Sequence, residues 1–131
     1  MYLLDTNIWL ERLLDQERSR QVELFFQRIP SELLHITDFT LHSIAIILIR
    51  LEKIEVLEQF LLDLFSHGAV NLIRLEPVDF SHIIRIIKTY KLDFDDAYQL
   101  AAAEKQRLTL ISFDRDFDRT EIGRKTPADL L

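Results

Sequence analysis

Apolar residues along this chain fall into two kinds of run, and the two kinds alternate. Short uninterrupted runs, Tyr2-Leu3-Leu4, Leu34 to Thr37, Val70 to Leu75 and Leu108 to Ile111, have the length and composition of buried strands. Between them apolar residues recur every three or four positions, as on one face of a helix. Val22, Phe25, Phe26 and Ile29 repeat in this way until Pro30. Leu41, Ile44, Leu48 and Leu51 form a second such set, and Phe80, Ile83, Ile84 and Ile87 a third. The pattern predicts a strand over 2–5, then a helix from Thr6 or Asn7 through Leu14. A long helix is capped by Thr37 or Asp38, and another spans Ile54 to Ser66 with Gly68 as its C-terminal cap. One helix starts at Pro77-Val78-Asp79, and one bearing Ala97, Leu100, Ala101 and Glu104 is capped by Asp93 or Asp95. The tail through Thr126-Pro127 is expected to add a short edge strand. Strands alternating with helices imply an α/β fold with a mostly parallel sheet of four or five strands and right-handed crossovers.

Composition narrows the picture. The 131 residues are 48% hydrophobic, enough for the core of one domain spanning 1–131, and two Gly with three Pro leave little room for linkers. Zero Cys excludes a disulfide framework, a thiolate nucleophile and cysteine-based metal sites. Charges interrupt every apolar run well before membrane-spanning length, and no secretory leader is evident, so the expectation is a soluble, cytoplasmic protein with no membrane partner. A net charge of -6 argues against a general basic coat for nucleic acid. The segment from Lys105 to Lys125 nevertheless gathers Lys105, Arg107, Arg115, Arg119, Arg124 and Lys125 into a local basic rim.

The acids are placed unusually. Asp5 stands where the first strand stops and a helix begins. Asp93-Phe94-Asp95-Asp96 opens a later helix, and Ser112-Phe113-Asp114-Arg115-Asp116 follows the last strand. Each has an ordinary explanation, since Asp caps helices and stabilises turns. Together they point to one crevice outside the carboxyl ends of the strands, where open α/β sheets bind ligands. Converging carboxylates repel unless a cation lies between them, and a hard divalent cation with oxygen ligands answers that need. Trp9, Phe25, Phe26, Phe60 and Phe65 lie in helical apolar patterns and are assigned to packing, and His35, His67 and His82 lack the spacing of a histidine metal site. The apolar surplus over Ile54 to Phe65 suggests a dimer or partner surface.

Three segments, Leu4-Asp5-Thr6-Asn7, Asp96-Ala97-Tyr98-Gln99-Leu100-Ala101-Ala102-Ala103 and Leu110-Ile111-Ser112-Phe113-Asp114-Arg115-Asp116-Phe117, resemble in order and spacing the motifs of the PIN-domain family, whose members include VapC-type toxins of toxin-antitoxin pairs. The resemblance spans nearly the whole chain. It implies a three-layer α/β/α fold and a ribonuclease dependent on Mg²⁺ or Mn²⁺, leaving a 5′-phosphate and a 3′-hydroxyl. By position it makes Asp5, Asp96 and Asp114 the catalytic, metal-ligating acids, with Asp116 an accessory ligand. Ser112 matches the hydroxyl residue before the family's fourth acid, and Thr6 and Asn7 match the polar pair after its first. Arg115 and Arg119 are candidates for the RNA backbone. The partners implied are an RNA substrate and an antitoxin protein, and a homodimer is expected from the surplus apolar surface.

In one place the chain departs from the family. A Glu usually stands near the start of the third helix, in a pattern like Thr-Leu-x-Glu, whereas this chain reads Thr40-Leu41-His42-Ser43, with no Glu between Glu32 and Glu52. His42 is a candidate nitrogen ligand or water-orienting group, and Ser43 a candidate hydrogen-bond partner for such a water. Two functions therefore compete: a metal-dependent ribonuclease, and a catalytically weak PIN-like module that binds RNA or protein. An aspartyl-nucleophile phosphatase is disfavoured, because Asp5-Thr6-Asn7 has no second acid two residues after the first.

Overall fold

The computed structural model describes residues 1–131. Four short strands form one parallel sheet: β1 (Tyr2–Leu4), β2 (Leu34–Thr37), β3 (Asn71–Ile73) and β4 (Thr109–Ile111), in the order β3-β2-β1-β4. Six helices flank it: α1 (Thr6–Leu13), α2 (Ser19–Arg28), α3 (Asp38–Arg50), α4 (Ile54–Leu61), α5 (Phe80–Tyr90) and α6 (Phe94–Gln106). The layers follow from the two-residue alternation of side chains along a strand. On β1, Leu3 packs with α5 and α6 while Leu4 packs with α1 to α4; on β4, Leu110 and Ile111 divide in the same way. Each of these four residues is almost fully buried, worth roughly 1.5–3 kcal/mol apiece. Both faces of the sheet are therefore covered, and the architecture is three-layer α/β/α.

The expected elements are present with adjusted ends. β1 stops at Leu4 because the Asp5 side chain turns back to accept from the Thr6 amide at 2.8 Å, capping α1. Thr37 caps α3 through the Thr40 amide at 3.0 Å, and Asp93 caps α6 through the Asp96 amide at 3.1 Å. Ala97, Ala101, Ala102 and Ala103 are buried and let α6 lie close to the sheet. The helix expected over Ile54 to Ser66 is regular only to Leu61 and ends in one wider π turn, Leu62–Ser66, where the His67 amide reaches the Leu62 carbonyl at 2.8 Å. Gly68 is not the left-handed cap expected of it. Its lack of a side chain is required instead by crowding, since a Cβ there would meet the Asp63 carbonyl oxygen. The C-terminal tail adds no strand to the sheet. It makes a single parallel bridge from Lys125 to Ile111, because the chain turns away into the 3₁₀ turn Pro127–Leu130. No helix is long and apolar enough to cross a membrane.

Register positions the chemistry. Leu4 pairs with Ile111, so Asp5 and Ser112 leave the ends of β1 and β4 at the same level, joined by the Asp5 amide to the Ile111 carbonyl at 2.9 Å. β2 ends at Thr37 on the other side of β1. α6 runs back to the start of β4, so its first turn stands over these same carboxyl ends.

Candidate functional site

The site is built on Asp5. Its carboxylate is 6% exposed and accepts on both oxygens. Oδ1 takes the Thr6 amide at 2.8 Å and the Gln99 side-chain amide at 3.1 Å; Oδ2 takes the Ser112 hydroxyl at 2.7 Å and the Asn7 amide at 3.3 Å. Four donors match the four lone-pair positions of an ionised carboxylate. Burial nevertheless pushes the Asp5 pKa up; the bonds from Ser112, Gln99 and Thr6 oppose that rise, and the charge of Asp114 adds to it.

Three further carboxylates converge beside it. Oxygens of Asp96, Asp114 and Asp116 lie within 4.8 Å of one another. Asp96 comes from the first turn of α6, whereas Asp114 and Asp116 come from the turn after β4. That turn is held by three bonds: the Asp114 amide donates to Ser112 Oγ at 2.9 Å, the Asp116 amide to Asp114 Oδ1 at 2.8 Å, and the Phe113 amide to Asn7 Oδ1 at 3.2 Å. Asp96 is half-buried, and its pKa is raised to about 8, first by desolvation, then by the charges of Asp114, Asp93 and Asp5 and by a hydrogen bond with Asp114. Such a cluster is under electrostatic strain that a cation relieves. The donors are all carboxylate oxygens, the set that Mg²⁺ and Mn²⁺ prefer, so the residues present fit a hard divalent ion.

Not every predicted site residue joins this group. Asp5 stands behind the three acids, coupled to Asp96 and Asp114 through charge but outside their set of close oxygens. Asn7 and Ser112 tie Asp5 to the Asp114 turn, and Asn7 also donates to Ser112 Oγ at 3.2 Å. His42 is exposed and Ser43 half-buried on α3, and neither side chain enters the acidic cluster or its hydrogen bonds. Arg119 is already engaged, reaching Asp116 at 3.4 Å and the Lys91 carbonyl at 3.2 Å; Arg115 is exposed and forms no ion pair.

The structure also brings in residues that sequence reasoning missed. Gln99 is 1% exposed, and its amide links Asp5 to Thr37 and Thr40. The available signal was a lone amide within the otherwise apolar stretch from Ala97 to Ala103. Arg18 lies 3.8 Å above the Phe113 ring and lines, with Asn7, Glu11, Gln16 and Asp114, an open cleft of about 380 Å³ beside the acids. An apolar cavity of about 330 Å³, lined by Trp9, Phe26, Ile29, Phe60, Leu64 and Val70, contains none of the clustered acids.

Comparison with known proteins identifies the family and the fold. A family model described as PIN domain matches residues 2–123. Among solved structures, a toxin-antitoxin complex from Klebsiella pneumoniae superposes with a TM-score of 0.78 at 23% identity, covering 97% of this chain and 98% of that one. The FitAcB structure from Neisseria gonorrhoeae gives 0.76 at 25% identity, covering 98% and 99%. VapC20 of Mycobacterium tuberculosis, described as a sarcin-ricin loop cleaving toxin, gives 0.76 at 15% identity, covering 90% and 93%. No curated protein matches the chain in sequence.

Proposed function

The chain belongs to the PIN-domain family, and from that premise we propose that it is a divalent-metal-dependent ribonuclease and the toxin of a toxin-antitoxin pair. The observation that carries this reading is the convergence of Asp96, Asp114 and Asp116 within 4.8 Å beside the buried, fully hydrogen-bonded Asp5. Asp96, Asp114 and Asp116 would hold Mg²⁺ or Mn²⁺. Asp5 would join them by releasing its longest bond, the 3.3 Å contact from Asn7. The chemistry a divalent ion supplies when bound is Lewis-acid activation of water and neutralisation of charge on a phosphodiester.

The chain's own residues prepare that site. Ser112 and Gln99 keep Asp5 from turning away, and the Ser112 hydroxyl fixes the Asp114 amide as well. Asp96 holds a proton until a cation displaces it, which lets four acids share one crevice without bursting it apart. Arg18 and Arg115 supply positive charge beside the acids for an RNA backbone, with Arg119 available if its ion pair to Asp116 opens.

An antitoxin partner and a homodimer are supported by apolar surface away from the acids. Ile46, Ile49, Leu51, Ile54, Leu61, Leu62 and Phe65, on α3, the connection to α4, α4 and the turn after it, are each at least 38% exposed. Such a surplus marks an interaction surface. The catalytically weak module remains the competing function, since the family Glu near the start of α3 is absent and Asp38, the acid that opens this helix, is engaged by the Tyr98 hydroxyl at 2.6 Å and the Phe39 amide at 2.8 Å.

Cleavage of RNA with Mg²⁺ or Mn²⁺, with EDTA, Asp5→Asn and Asp96→Asn as controls, separates the two. Metal-dependent cleavage lost in both variants is the expected result. Cleavage surviving in either variant overturns the roles given to these acids, and a metal-binding wild type that never cleaves RNA favours the binding module.

A further inference from the structure

Gln99 occupies a position where a hydrocarbon side chain is the physical default. Its neighbours on α6, Ala97, Tyr98 and Leu100 to Ala103, are all buried, and burying an amide is costly unless its polar atoms are satisfied. Here they are satisfied in only one orientation. Asp5 Oδ1, as a carboxylate oxygen, must accept, so the Gln99 nitrogen faces it at 3.1 Å; the second nitrogen proton goes to Thr40 Oγ1 at 2.7 Å, and the carbonyl oxygen accepts from the Thr37 hydroxyl at 2.9 Å. Thr37 Oγ1 has no freedom left, because it also accepts the Thr40 amide at 3.0 Å. Thr40 Oγ1 is tied in turn to Thr6 Oγ1 at 2.8 Å, on the helix that Asp5 caps. A closed ring of bonds thus joins the heads of α1, α3 and α6 around one carboxylate.

The geometry points to Gln99 as a positioning residue that fixes the Asp5 carboxylate relative to Asp96, an inference that rests on the metal-site reading above. Asp96 and Gln99 are three positions apart on α6 and share one turn-to-turn face. Any shift of α6 therefore carries Asp96 and the anchor of Asp5 together. Ser112 holds the other Asp5 oxygen from the turn after β4, which also presents Asp114. Asp5 is pinned from both sides that deliver the remaining acids, so its carboxylate keeps its place relative to the backbone that carries them. The start of α3, where the family Glu is absent, serves as the anchor for this network through Thr37 and Thr40.

The test measures Mn²⁺ affinity in the full chain, at a temperature where circular dichroism shows each variant folded. Gln99→Met keeps length and loses every bond; the expected result is Mn²⁺ binding weaker by about tenfold or more, the usual effect of removing a group that orients a metal ligand. Thr37→Val, which frees the amide to rotate, is expected to weaken binding less, and the double variant to match Gln99→Met rather than the product of the two effects. Wild-type protein that binds Mn²⁺ while folded Gln99→Met binds it equally well overturns the positioning role and leaves the metal site standing. Should Gln99→Met not fold, Thr37→Val decides in the same way, unchanged affinity overturning the role. Wild-type protein that binds no Mn²⁺ overturns the metal site itself, and the positioning role with it.

Discussion

The Ser112 hydroxyl donates to Asp5 Oδ2 at 2.7 Å across 107 positions of sequence, inside the protein, where the ends of β1 and β4 lie level. Ser112 Oγ also accepts the Asp114 amide, so one oxygen ties the buried acid to the turn that carries two others. Ser112→Ala removes both bonds, together with the one accepted from the Asn7 amide at 3.2 Å, and leaves a buried carboxylate short of a donor. A loss of about 1–3 kcal/mol in unfolding free energy is expected, read as a lower urea midpoint with an unchanged slope. A midpoint equal to wild type would mean that water or Asn7 takes over both bonds.

The metal-free protein should lose stability as pH rises toward the alkaline side. Asp96 titrates near 3.8 when unfolded and at about 8 when folded. The folded state holds the proton more tightly, so its contribution is complete below pH 3.8 and is lost as pH climbs through 8. His35 works in the opposite direction, because burial lowers its pKa and favours the neutral ring. The comparison that isolates Asp96 is therefore wild type against Asp96→Asn in EDTA. The difference in urea midpoint should move in favour of the variant between pH 5 and pH 9, and a constant difference would contradict the raised Asp96 pKa.

Metal affinity should show the same proton from the other side. An ion entering the cluster below pH 8 must displace the proton on Asp96. Mn²⁺ binding should tighten by up to about tenfold per pH unit on approaching pH 8 and then level. Calorimetry in two buffers of different ionisation enthalpy should detect the released proton at neutral pH. Affinity independent of pH between 6 and 8 would show that Asp96 is already ionised or takes no part.

Much of this was legible in the order of residues, and the reasons are physical. The apolar runs at Tyr2, Leu34 and Leu108 become strands because such runs have nowhere to go but a sheet buried on both faces. Carboxylates that follow a strand end or open a helix are carried to the carboxyl edge by the parallel topology, which is why Asp96 and Asp114 meet although 18 positions separate them in sequence. What was hidden depended on three-dimensional partners. Nothing in Ala97-Tyr98-Gln99-Leu100 states that the amide meets Thr37, Thr40 and Asp5, since those contacts span from 59 to 94 positions. Nor does the sequence around Gly68 reveal that steric crowding by the Asp63 carbonyl, rather than a left-handed turn, requires the glycine. His42 was a candidate only because it stands next to the place of the missing family Glu, and its helix turns that side chain outward to solvent.

The apolar surface at the end of α3 and along α4 should hold the oligomer together. Ile49 and Ile54 are 53% and 49% exposed and touch neither the acids nor their hydrogen bonds. Replacing both with Glu should convert a homodimer to monomer in sedimentation equilibrium while leaving Mn²⁺ affinity within about twofold, because sites without shared partners behave independently. A wild-type protein that sediments as a monomer would assign this surface to a different partner.

The acidic cluster itself is tested most directly by diffraction from a crystal soaked in Mn²⁺, recorded near the manganese absorption edge. The expected result is an anomalous peak bounded by carboxylate oxygens of Asp96 and Asp114, with Asp116 or Asp5 completing the set. A soaked crystal without a peak at that position, or with its only peak elsewhere on the molecule, would contradict it.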